Sequence, residues 1–165
     1  WMDLLITTSY SWPLLVIRVF LGMIMFAHGA QKLFGWFGGR GLKGTCAYMK
    51  EAMGIPPFLA FLGSVTETFG GLALFAGFLS RPAALGIIIV LLTAISKSHK
   101  GNGFFINWAQ EEGKGHGSEM SLALLGMALS ILIGGGGLMS ADLAILYCAK
   151  LRKKGRVATP SGERQ

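Results

Sequence analysis

Four long apolar stretches, with ionisable side chains inside or bordering them, constrain this 165-residue chain more than any other feature. The hydrocarbon core of a bilayer is about 30 Å thick and takes about 20 helical residues to cross. The first stretch, 12–34, rises about 33 Å as a helix. The others cover 58–79, 83–99 and 119–137. A charged group in hydrocarbon costs about 3 kcal/mol or more, so it faces a partner, a cavity or the bundle interior. Arg18, His28, Gln31, Lys32 and Glu67 are the groups so placed. The function of the chain is to be sought among them.

The composition agrees with immersion in lipid. The chain is 52% hydrophobic and 14% charged, with a mean hydropathy of +0.55. A soluble domain carries about a quarter charged residues. The 25 glycines suit helices whose backbones approach closely in lipid. The expected fold is an all-α membrane protein, a four-transmembrane-helix bundle with short interfacial helices, formed by residues 1–151. Pro13 suits a first helical turn. Gly35-Trp36-Phe37-Gly38-Gly39 would end the first span with aromatic anchors. Thr45–Met53 is predicted as a short surface helix, and Ser140 as the cap of another that ends at Leu151. Residues 152–165 are expected to be a basic, flexible, cytoplasmic tail. The first apolar run is too long for a cleavable signal peptide.

The net charge of +7 is concentrated near the end, from Lys150 to Arg156, beside apolar sequence. The positive-inside rule then places both termini in the cytoplasm and the loops 35–57 and 100–118 outside. In a bacterium that outer side is the periplasm, and the membrane is the inner one. The same placement favours anionic lipid, not nucleic acid, as the partner of the tail. Cys46 and Cys148 fall on opposite faces in this topology. With no C-x-x-C-H motif either, thiol-disulfide chemistry and covalent haem are disfavoured.

His28, Gln31 and Lys32, at i, i+3 and i+4, share one helix face. Lys32 would snorkel to the interface while His28 bonds a neighbouring helix; alternatively, the three line a pocket for a ligand head group. Arg18 and Glu67 would resolve their burial by pairing, across an axial offset of about 10 Å. An unpaired Glu67 would be a proton-relay candidate. Gly63, Gly70, Gly71 and Leu74 share its face and mark it as inward. His99, Asn102, Asn107, Trp108 and Glu119 fall on the same outer side as His28. They either tie the loops down or, with Trp36, complete a ligand site. Phe104 and Phe105 would dip into lipid while asparagines cap the turn. His28, His99 and His116 lack the spacing of a metal site, and haem held by His28 and His99 is disfavoured. No phosphate-binding loop, triad or nucleotide motif is present.

The run Arg18-x9-His28-Gly-Ala-Gln-Lys32-Leu-Phe-Gly-Trp-Phe-Gly-Gly39 resembles the first-helix signature of the DoxX family. Gly54-Ile-Pro-Pro57, Glu67-x2-Gly70-Gly71 and Asn102-Gly-Phe-Phe-x-Asn-Trp108 resemble its later motifs in the same order. The resemblance covers about residues 12–145 and implies a small four-helix protein of the bacterial inner membrane. The family name derives from a subunit of a membrane-bound thiosulfate:quinone oxidoreductase, and relatives are associated with redox and oxidative-stress complexes. One departure stands out. Glu119-Met-Ser121 replaces an expected Glu, aromatic and often His.

Three functions compete. The chain would be a membrane subunit of a quinone-linked oxidoreductase. His28 and Lys32 would then bond the head group of a quinone or a small sulfur substrate, Trp36 and Trp108 would wall the pocket, and Glu67 would pass protons. It would instead be a non-catalytic accessory subunit packed against a larger membrane complex. Third, it would be a small-solute transporter, which four helices would form only as an oligomer. No redox centre of its own is evident in the chain, and quinone is the cofactor it would take.

Overall fold

Ser11 opens the first helix. Its Oγ accepts from the backbone N–H of Leu14 at 3.4 Å, and Pro13 occupies the first turn. The computed structural model describes residues 5–113 and 115–157. Helix α1 is Trp12–Leu33 and leads into a 3-10 turn, Trp36–Gly38. Helix α2 is Gly41–Met53. Helix α3 is Pro57–Ala76, α4 is Ser80–Lys97, α5 is Glu119–Gly134 and α6 is Ala141–Val157. Gly54 and Gly77 end α2 and α3 at φ 65° and 71°, where a side chain would be strained.

Helices α1, α3 and α4 are each long and apolar enough to cross a membrane. The fourth span, expected over 119–137, is shorter. Helix α5 has 16 residues, or about 24 Å. The glycines after it leave the helix and stay buried, so irregular backbone completes that leg of the bundle. In cross-section α1 packs on α3 and α5, and α4 packs on the same two helices. Leu21, Met25, Leu74, Ile87, Leu91, Leu124 and Ile131 fill the centre. The chain is a helical membrane bundle.

The tightest seam lies between α1 and α3. A Cβ added at Gly22 would lie 2.7 Å from the Phe75 nitrogen, and one at Gly71 would lie 2.5 Å from the Phe26 nitrogen. Only glycine permits that approach of two backbones.

Arg18 does not pair with Glu67. Its Nε donates to the Gly136 carbonyl at 2.8 Å, and Nη1 donates to Leu74 and Phe75 at 2.7 and 2.6 Å. Nη2 reaches the carbonyls of Leu138 and Met139 at 3.4 and 3.3 Å. The guanidinium thus serves carbonyls at the end of α3 and in the 136–139 turn, where helical hydrogen bonding runs out. The reason is position. Arg18 lies level with the end of α3 and the 136–139 turn, whereas Glu67 is farther along the bundle. Non-helical backbone at membrane depth needs such protein partners. Asp142, which the sequence reading did not single out, supplies the opposing charge. Its carboxylate accepts from Leu79 N at 2.8 Å and Ser80 N at 2.9 Å, capping α4. Ser140 accepts from Leu143 N at 3.2 Å and caps α6, as expected. That helix continues to Val157, past the predicted end at Leu151, so the start of the predicted tail is helical. Residues 158–165 of that tail lie outside the described residues.

Candidate functional site

Helix α2 folds back across the end of the bundle and packs on α3 and α1. The Thr45 Oγ1 hydroxyl pins it by donating to the Lys32 carbonyl at 3.2 Å. Beneath it opens a cavity of about 940 Å³, lined by α1, α2, α3 and α4. Its walls are largely apolar and include Met49, Met53, Leu59, Leu62, Ile89 and Val90. That volume and character suit a small organic ligand.

One ion pair, its carboxylate buried and its ammonium partly exposed, lies in this wall. Lys32 Nζ donates to Glu67 Oε1 at 2.5 Å. The Glu67 side chain is 4% exposed and that of Lys32 is 30% exposed. Lys32 therefore does not end its reach at the interface; it crosses from α1 to α3. Glu67 Oε2 is buried and has no hydrogen-bond partner among the described residues. A carboxylate oxygen left unpaired costs about 1–3 kcal/mol or more. The ammonium has N–H groups beyond the one engaged by Glu67. The pair thus keeps ammonium N–H groups that can donate to a ligand oxygen.

The other expected site residues divide. Gln31 lines the cavity beside Lys32 and Glu67. His28 does not. It sits on the exposed face of α1, in a separate shallow cleft with Ile24, Ala27, Gln31 and Phe37. No bond from its ring to a neighbouring helix forms among the described residues. The cause is register: Gly29 and Ala30 face the α3 seam, which turns His28 outward.

Trp36 packs on Phe26, Phe34 and Phe37, with centroids 6.4, 5.2 and 6.4 Å away. Trp108 is 81% exposed. Neither lines the cavity. His99, Asn107 and Glu119 instead organise the 98–118 loop. The His99 Nδ1 donates to the His116 carbonyl at 2.8 Å, and Nε2 accepts from Ser121 Oγ at 3.0 Å. Ser121 therefore meets His99 at the position where the family pattern led us to expect histidine. Glu119 Oε2 accepts from Ile106 N at 3.1 Å. Asn107 both donates to and accepts from the Glu111 backbone at 3.1 Å. Asn102 donates to the carbonyls of Ser98 and His116 at 3.3 Å, the capping role expected of it.

The sequence reading missed the α2 contribution to the cavity. Thr45, Met49 and Met53 recur at the four-residue spacing of one helix face, which is the signal that was available. It also missed Arg40, which lines the mouth with its guanidinium 4.2 Å above the Tyr48 ring.

Comparison with known proteins places this arrangement in context. Over 87 residues the chain is 30% identical to "Putative oxidoreductase CatD" of Bacillus subtilis (strain 168), covering 53% of this chain and 60% of that one. Over 71 residues it is 39% identical to "Inner membrane protein YqjF" of Escherichia coli (strain K12), covering 43% and 49%. The chain thus spans about half to three-fifths of the length of these curated relatives. No solved structure matches it significantly. The DoxX family pattern matches residues 13–100, which hold α1 to α4 and every residue of the cavity. The protein is a bacterial membrane protein and belongs to the DoxX family.

Proposed function

We propose that the chain is an integral membrane subunit of a quinone-linked oxidoreductase and that the cavity beneath α2 holds the quinone head group. The observation that carries this reading is the Lys32–Glu67 pair in the wall of an otherwise apolar cavity of about 940 Å³. The residues fit the group. Aliphatic and methionine side chains match an apolar ring, and Lys32 offers a donor for a ring oxygen. A quinone bound there supplies a two-electron, two-proton couple. The chain's own part is to orient the ring through Lys32, exclude water with α2, and hold a proton at Glu67 Oε2. Electron donors are partner subunits. The name of CatD, an oxidoreductase, and the family's namesake complex favour this chemistry. In this reading the cavity end of the bundle faces outward from the inner membrane and both termini are cytoplasmic.

The test is quinone retention after gentle solubilisation, followed by titration with a short-chain quinone. Wild-type protein is expected to bind and Lys32→Met to bind at least about tenfold more weakly, the loss of a charge-assisted hydrogen bond. Glu67→Gln is expected to bind but to lose proton-coupled reduction in the complex. His28→Ala, outside the cavity, is expected to behave as wild type. Absence of quinone binding by the wild-type protein would overturn the reading.

The second reading, an accessory subunit without catalysis, is favoured by the apolar surface. Only 28–33% of each long spanning window is buried within the chain. Comigration with partners combined with unaltered complex activity in Glu67→Gln would select it.

A further inference from the structure

The mouth of the cavity carries positive charge that no described residue pairs with. Lys32 and Glu67 neutralise each other deep in the wall. Arg40 and Lys97, which also line the cavity, have no ion-pair partner among the described residues. Arg40 precedes α2 and Lys97 ends α4, so two walls each place one cation at the same end of the bundle. The Arg40 guanidinium is stacked on the Tyr48 ring. That cation–π contact restrains the guanidinium, and no hydrogen bond to a described residue occupies its N–H groups, which suits recognition of a phosphate.

The cavity beneath these cations is long and opens sideways. It runs along α4 from Lys97 down to Gly86, a helical rise of about 16 Å. One leaflet of a bilayer holds about 15 Å of hydrocarbon. Leu59, Leu62 and Ile89 line it and are also about half exposed on the outer surfaces of α3 and α4. The gap between those helices thus opens toward lipid.

The geometry points to an anionic phospholipid as a ligand of this cavity, its phosphate on Arg40 and Lys97 and one acyl chain in the groove between α3 and α4. A free phosphate would satisfy the cations but leave the apolar length below them unfilled. This site is distinct from the basic stretch 150–156 in α6, the helix at the opposite end of the bundle. It goes beyond the quinone reading and does not rest on it, because the cations and the leaflet-deep groove are present whatever binds at Lys32.

The experiment is lipid retention. Protein is reconstituted in phosphatidylcholine vesicles containing phosphatidylglycerol, re-extracted in mild detergent and assayed for bound lipid by native mass spectrometry. Wild-type protein is expected to retain phosphatidylglycerol over phosphatidylcholine by roughly tenfold or more, from two cations near the surface. The Arg40→Gln/Lys97→Gln variant should lose that preference, whereas Lys43→Gln/Lys50→Gln, altered on α2 away from the cavity, should keep it. Tyr48→Leu, which removes the platform, should lower retention about threefold. Equal retention by the Arg40→Gln/Lys97→Gln variant, or equal retention of both lipids by wild type, would overturn the proposal. So would displacement of phosphatidylglycerol by inorganic phosphate at the same concentration, which would assign the rim to a free anion. A preparation that keeps phosphatidylglycerol but binds no quinone would sink only the quinone reading.

Discussion

Arg18 and Lys32 are both basic residues of α1, and their surroundings give them different work. Arg18 is 1% exposed and holds five carbonyls from two segments. Replacing it with methionine leaves those carbonyls and Asp142 uncompensated, so a loss of about 3–5 kcal/mol is expected. Arg18→Lys should recover only part of it, since an ammonium has three N–H groups and no fork. Denaturant titration of the detergent-solubilised variants measures both. At the other pair, Lys32→Met strands the Glu67 carboxylate and should cost more than Lys32→Met/Glu67→Leu, which removes both charges. A double variant less stable than the single one would contradict this. The sequence already marked Arg18, Lys32 and Glu67 as groups that cannot stand alone in lipid. Which ones meet was not legible, because helix rise gives depth but not rotation, and rotation decided that Lys32 reaches Glu67. His28 shows the same limit: one step along α1 from the buried Gly29, it faces outward.

Helix boundaries were easier to read than helix contacts. Gly54 ends its helix where glycine was expected to punctuate the chain, and Pro13 starts one, whereas α3 stops at Ala76 with Gly77 as its cap, short of the expected end at Leu79. The shorter α5 and longer α6 escaped because a buried glycine turn and a helix of low hydropathy leave little periodic signal. The roof formed by α2 is a tertiary fact; its sequence announces an amphipathic surface helix and no more. The glycines now sort by element. Gly71 lies in the α1–α3 seam, and Gly126 on α5 has nothing within 4 Å of an added Cβ. Gly71→Val would drive a side chain into the Phe26 backbone, which cannot rotate away, and is expected to separate the helices and abolish folding in detergent. Gly126→Ala is expected to stabilise by up to about 1 kcal/mol, the helix propensity difference. Thermal melts of the two variants check the contrast. Equal effects would mean that the seam is not where stability is concentrated.

Where the charges lie predicts an orientation of the bundle in the membrane, and the two cysteines can read it. Cys46 is on α2, over the cavity end, and Cys148 is on α6, at the end where Asp142 caps α4. Both are free thiols, and Cys148 is exposed. The bundle separates them by its full height, so a membrane-impermeant maleimide added to intact cells reaches one side only. The basic residues of 150–156, in the last turns of α6, should hold that end in the cytoplasm. Cys46 in a Cys148→Ser variant is then expected to label from outside, and Cys148 in a Cys46→Ser variant only after the membrane is opened. The opposite pattern would invert the orientation and turn the cavity toward the cytoplasmic leaflet. It would leave the cavity intact but change which leaflet supplies its lipid and from which side protons reach Glu67. Equal labelling of both thiols in intact cells would be more damaging, because it requires both ends on one side and is incompatible with helices that cross the bilayer.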